Sequence, residues 1–150
     1  MNKTLIYNWY EQYKIGIYRY AFSILKNPHS AEDVLQETFL RLLSGKYVVQ
    51  EDKIESWLYR VARNYCYDIL RKQQEEELPQ DLPANECQYS YIERISVLEQ
   101  KDQEIVTLKV LSCMTSREIG KVMGMTASAV QKRYQRAIRK LKEQEESYGE

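Results

Sequence analysis

Between Lys121 and Lys142 the chain places seven lysines and arginines and no carboxylate, although acidic and basic residues are equally numerous overall, 22 of each. A cationic run of that kind on one element attracts a polyanion. Within it Ala129, Val130, Tyr134, Ala137, Ile138 and Leu141 keep the three- and four-residue steps of a helix's inner face, with the cations between them. Upstream, Thr115-Ser116-Arg117-Glu118 has the form of a capping box, Gly124 stands where a helix ends, and Thr126 is placed to cap the next helix. Two helices joined by a short turn containing glycine, the second strongly basic, form the helix-turn-helix that lays its second helix in the major groove of a duplex. Ser128, Gln131, Lys132 and Gln135, near the start of that helix, are placed to reach base edges. A glutamine pairs bidentately with adenine, and a lysine reaches guanine acceptors. Arg117, Arg133 and Arg136 are better placed for phosphates, which the helix start at Thr115-Ser116 also suits.

The other groups capable of chemistry lead elsewhere. Asp33 and Glu37 share one helix surface with Glu32 nearby. Paired carboxylates perform general acid–base work when they face each other across a bond, usually from opposing elements. Neighbouring acids on one short helix, without a metal set or a cleft signature, fit basic groups on a protein partner better. No glycine loop for phosphates and no nucleophile arrangement is present, so neither catalysis nor a cofactor is expected. Cys66, Cys87 and Cys113 are widely spaced and His29 is the one histidine, which argues against a zinc site. The thiols read as ordinary reduced cysteines of a cytoplasmic protein, with a redox role for Cys87 as the alternative.

The elements that must position these groups fall into an all-α chain of two small helical domains. Residues 1–74 carry 11 basic and 8 acidic side chains, residues 75–99 one and 7, residues 100–142 ten and 3, and residues 143–150 four glutamates. Two positive segments are thus separated by a negative one. In residues 1–74, Leu5, Trp9, Tyr13 and Tyr20 with Ala21, Ile24 and Leu25 mark a first helix. A second is capped by Ser30, with Ala31, Val34, Leu35, Thr38 and Leu42 on one face. A third runs from Trp57 through Leu58, Val61, Ala62, Tyr65 and Ile69 to about Gln73. Ser44 to Asp52 reads as loop, and this part as a bundle. Residues 75–95, with Pro79 and Pro83, are expected to be a flexible acidic linker. Residues 96–144 form the helix-turn-helix domain and 145–150 an acidic tail. No apolar run is long enough to span a membrane.

At this point the pieces match a known pattern. The chain resembles RNA polymerase sigma factors of the sigma-70 family, in the small extracytoplasmic-function class, over nearly its full length. The resemblance rests on Ser30-Ala31-Glu32-Asp33-Val34-Leu35-Gln36-Glu37-Thr38-Phe39-Leu40-Arg41-Leu42 and on Trp57-Leu58-Tyr59-Arg60-Val61-Ala62-Arg63-Asn64 leading to Asp68-Ile69-Leu70-Arg71. It continues in Ser116-Arg117-Glu118-Ile119-Gly120, Gly124-Met125-Thr126, Val130-Gln131-Lys132-Arg133 and Arg136-Ala137. It implies a subunit without catalytic residues that turns core RNA polymerase into a promoter-specific holoenzyme and is held in check by an anti-sigma protein. The N-terminal domain would dock on polymerase and open the minus-ten element, and the C-terminal one would read the minus-thirty-five element. Asp33, Gln36, Glu37 and Phe39 would lie on or beneath the docking helix, and residues 44–52 would hold a flipped base. Arg60, Arg63, Asn64 and Arg71 would lie near the melted strand. The alternative is a helix-turn-helix regulator that binds duplex DNA without joining polymerase.

Melting a duplex calls for cations, stacking rings and a base pocket, which Lys46, Lys53 and these arginines with the nearby tyrosines could supply. Trp57 and Tyr65 keep the apolar spacing and are expected in the core. Tyr47 and Tyr59 are expected to be exposed for stacking. Gly120 stands where the family usually has alanine, which on propensity alone weakens its helix by about 1 kcal/mol.

Overall fold

A computed structural model of the chain describes residues 3–75 and 86–148. Among the described residues there are seven α-helices and one 3-10 turn and no strand, grouped in two compact units that divide between Glu75 and Glu86.

The N-terminal unit packs α1 (Lys3–Leu25), α2 (Pro28–Leu43) and α3 (Ile54–Glu75), with the 3-10 turn at Glu51–Lys53 leading into α3. Apolar residues at helical steps drive the packing. Ile17, Tyr20 and Ala21 of α1, Ala31, Val34 and Leu42 of α2, and Ile54, Leu58 and Ala62 of α3 are almost wholly removed from water. The α2 start differs from expectation: Asn27 is the cap, its Oδ1 accepting from the Ser30 N–H at 3.0 Å, while Pro28 opens the helix. Proline is suited to the first helical position because its missing N–H would have had no partner there. Ser30 therefore lies inside the helix, one turn later than the sequence reading put it.

The C-terminal unit contains α4 (Glu86–Ile95), α5 (Gln100–Val110), α6 (Ser116–Met123) and α7 (Ala127–Tyr148). Helix α4 corrects the expected linker at residues 86–95. Ile95 and Leu98 form a buried cluster with Val106 and Ala137, and Tyr91, Ile92, Tyr134 and Leu141 pack against it. The Thr107 hydroxyl donates to the Gln103 carbonyl at 2.8 Å, so the Tyr91 hydroxyl, 2.8 Å away, donates to Thr107. Burial raises the Tyr91 pKa above its ordinary value. The acids and prolines that suggested a linker lie mainly upstream of α4, and Ile92, Ile95 and Leu98 carry the helical spacing. Residues 76–85 of that expected linker, with both prolines, lie outside the described residues. The expected tail is also shortened, because α7 runs on to Tyr148.

The helix-turn-helix is built from locally satisfied backbone. Thr115 Oγ1 accepts from the Glu118 N–H at 3.1 Å, and Glu118 reaches back to the Thr115 N–H, closing the capping box. Gly124 ends α6 at φ 69°, ψ 39°, the left-handed geometry that favours glycine. The Met125 N–H then donates to the Gly120 carbonyl at 2.9 Å, and Thr126 Oγ1 accepts from the Ala129 N–H at 3.1 Å to start α7.

Candidate nucleic-acid and polymerase interfaces

On a helix of 3.6 residues per turn, the buried Val130 and Ala137 fix the inner side of α7. Ser128, Lys132, Gln135 and Arg136 then stand on the outer side, and all four are exposed. Arg139, which was not given a DNA contact, is exposed on the same face. Arg117 is exposed in the first turn of α6.

Arg133 departs from its expected phosphate role. Its guanidinium lies 2.9 Å from Asp102 Oδ1 and 3.7 Å from Glu99 Oε2, joining α7 to the start of α5. The hydrogen bond to Asp102 is the main cause that raises its pKa above the ordinary arginine value. The reason lies in register, since Arg133 is three residues from the buried Val130 and four from the buried Ala137, on the flank of the inner stripe. A test separates the two roles. Arg133→Ala is expected to lower stability by about 1 kcal/mol, as for a well-formed but partly exposed pair. A melting curve reads the loss, while the salt dependence of duplex binding stays as it was. A phosphate contact would instead reduce that slope by about one.

Gln131 is exposed but engaged, its Oε1 accepting from Ser116 Oγ at 2.8 Å.

In the N-terminal unit α3 carries a second cationic side. Arg60 and Asn64 are exposed on it, and the Arg63 guanidinium stacks over the Tyr67 ring, 4.7 Å from its centroid. Tyr59, expected to be exposed for stacking, is a correction: it is 2% exposed and its ring lies 5.6 Å from that of Tyr20 in the core. The inner stripe of α3 runs through Ile54, Leu58, Val61 and Ala62 and takes in Tyr59. Trp57 lies at its edge, and Tyr65 turns toward Glu37 and Arg41, so both are half-buried instead of in the core. Tyr47 is exposed, next to the exposed Lys46 and Val48, and its ring packs on Trp57 at 5.7 Å. Arg71 stands apart from the other arginines. It pairs with Asp68 and lines a different groove.

That groove, of about 570 Å³, runs between α2 and α3. Asp33, Gln36, Glu37 and Asp68 line it with Tyr65, Arg71 and Lys72. The Tyr65 hydroxyl donates to Glu37 Oε2 at 3.1 Å, and Arg41 stacks over the Tyr65 ring at 4.5 Å. Asp33, Gln36 and Glu37 are exposed. Phe39 is buried, edge-on to Tyr10 at 5.1 Å, and lines the floor of an apolar groove. Gln36 also borders that groove with Tyr7, Leu40 and Leu43.

Among the described residues no group of three or more His, Cys, Asp and Glu could hold a metal ion. Cys66 is buried and Cys113 exposed, with no disulfide between them, and the Cys87 side chain lies outside the described residues. No helix of the described residues is long and apolar enough to cross a membrane.

The described residues thus hold two helical units, one with exposed carboxylates on α2 and a cationic side on α3, the other a basic helix-turn-helix. Comparison with known proteins identifies both. Residues 9–76 match the family model of sigma-70 region 2, and residues 89–141 that of sigma-70 region 4. The chain is 29% identical over 147 residues to the ECF RNA polymerase sigma factor SigM of Bacillus subtilis (strain 168), covering 89% of this chain and 90% of SigM. Its fold is similar to that of CnrH, solved in complex with the cytosolic domain of CnrY, at a TM-score of 0.77 and 20% identity, covering 97% of this chain and 90% of that one. It is also similar to the sigma factor RpoE, solved in complex with the anti-sigma factor NepR from Bartonella quintana, at a TM-score of 0.71 and 18% identity, covering 91% and 95%. The chain belongs to the sigma-70 family, as an RNA polymerase sigma factor of the extracytoplasmic-function class.

Proposed function

We propose that the N-terminal unit docks on core RNA polymerase through Asp33, Gln36 and Glu37 and helps to melt the minus-ten element, while the outer face of α7 reads the minus-thirty-five element. The observation that carries this reading is the pairing, in one chain, of the exposed Asp33 and Glu37 on one helix with another helix that has no carboxylate from its start to Lys142. Exposed carboxylates suit a basic protein surface, whereas the basic helix suits phosphate. Tyr47 over Trp57 offers a stacking platform beside Lys46, and Arg60, Arg63 and Asn64 offer donors to a displaced strand. The protein works in the cytoplasm, adds no catalytic residue of its own and acts by positioning polymerase. An anti-sigma protein restrains it, a reading supported by the likeness to RpoE, which was solved bound to one.

Core polymerase pulldown followed by transcription from a genomic promoter library tests the proposal. The wild-type chain is expected to bind core and give discrete start sites. Glu37→Lys, which puts a like charge against a basic partner, is expected to weaken core binding at least tenfold, the scale of one unfavourable buried charge contact. Binding of duplex DNA without any binding of core would leave a regulator that works alone.

A further inference from the structure

Gln131 reaches the recognition face with half of its carboxamide already committed. Ser116 Oγ donates to Gln131 Oε1 at 2.8 Å, and Lys109 Nζ donates to Ser116 Oγ at 3.0 Å. Lys109 is itself half-buried and lies 5.4 Å from the centroid of the Tyr134 ring, so the chain of bonds ties α5, α6 and α7 together. Its polarity follows from chemistry. An ammonium only donates, so Ser116 accepts from Lys109 and has its own proton to place. Gln131 Oε1 takes that proton. The amide is thereby oriented with its oxygen toward α6 and its NH₂ away from it.

We propose that Gln131 is a donor-only reader of a base edge, and that Ser116 and Lys109 are the residues that position it. The inference rests on the reading of α7 as the helix in the major groove, and it replaces the bidentate pairing with adenine expected from the sequence. Adenine offers an acceptor and a donor side by side, and a glutamine must use both its groups to claim them. With its oxygen turned toward Ser116, Gln131 presents its NH₂ outward and seeks acceptors. Guanine presents two of these, N7 and O6, whereas adenine (N7) and thymine (O4) present one each and cytosine presents a donor. Guanine is therefore the base selected at the position Gln131 faces.

The holoenzyme, assembled from the full chain and core polymerase, is challenged with a pool of linear duplexes carrying a randomised upstream segment, and retained sequences are counted. Wild type is expected to prefer guanine over adenine at one position by about fivefold, the ratio one net hydrogen bond supports. Gln131→Ala removes the preference at that position alone, which identifies it. Ser116→Ala releases the oxygen and shifts that position toward adenine by about tenfold, as a restored bidentate pair would. Ser116→Thr, which keeps the hydroxyl, retains the wild-type preference. Ser116 follows the Thr115 cap, so alanine there leaves the capping box intact. An unchanged base preference in Ser116→Ala, or adenine preferred by wild type, overturns the positioning role while leaving the proposed function standing. A pool from which the wild-type holoenzyme retains no sequence preference overturns both.

Discussion

Alanine at position 120 is expected to lower the stability of the C-terminal unit by about 2 kcal/mol, and its melting temperature by about 10 °C. Helix propensity alone forecasts the opposite sign, since alanine in place of a helical glycine gains about 1 kcal/mol. What decides the matter is the approach of the turn. A Cβ on Gly120 would meet the Met125 carbonyl oxygen at 2.3 Å, with the Met125 carbonyl carbon at 3.4 Å and the Ala127 nitrogen at 3.7 Å. The first distance is far inside van der Waals contact, and the atom it meets is backbone, which cannot swing aside as a side chain can. Moving it also disturbs the Met125 N–H bond to the Gly120 carbonyl. Relief of the clash must come from shifting the turn that sets α7 against α6, so promoter binding is expected to fall together with stability. Gly124→Ala makes the comparison informative. It has open space around it but a φ of 69°, so its cost is the left-handed penalty of about 1 kcal/mol and no clash. Thermal melts of the full chain read both values. A Gly120→Ala protein more stable than wild type would show that the close approach of the turn is not what holds this glycine in place.

The same glycine shows where sequence reading stops. The capping box, the glycine terminus and the Thr126 cap are local devices, each written in three or four consecutive residues, and they were legible as such. The contact between Gly120 and Met125 is local too, but it depends on the path of the turn, which propensity does not encode. Facing errors have a related cause. The α3 stripe could be counted from Ile54 or from Trp57, and both give a run of apolar residues at helical steps. Only packing against Tyr20 decides that Tyr59 turns inward and Trp57 stays at the edge. Arg133 was legible as a cation on a basic helix, but its carboxylate partners are about thirty residues away in sequence, on an element whose register had first to be known. Helix α4 was hidden by composition, because the acids and prolines just before it outweighed three correctly spaced apolar residues. The Lys109–Ser116–Gln131 chain was out of reach for the same reason as Arg133, joining three elements through side chains alone.

Removing Arg136 and Arg139 together is expected to weaken holoenzyme binding to every promoter by about thirtyfold at 0.15 M salt. Both are exposed on the outer side of α7, away from the buried Val130 and Ala137. Each arginine that neutralises a phosphate releases close to one counterion, so two of them set both the size of the loss and its salt dependence. The slope of log affinity against log salt should fall by about 1.8, and the two proteins should converge as salt approaches 1 M. Base preference should not change, because phosphate contacts fix register and orientation and carry no sequence information directly. Lys132→Ala, one turn earlier on the same face, is expected to behave differently, relaxing the preference at one base pair while sparing the rest. The distinction follows from position along the helix, since the first turns lie deepest in the groove and later ones rise toward the backbone. Affinity across a salt series, with duplexes differing at single positions, separates these outcomes. A double variant whose salt slope matches wild type would mean that the outer face of α7 does not lie against phosphate, and the cationic run from Lys121 to Lys142 would need another partner.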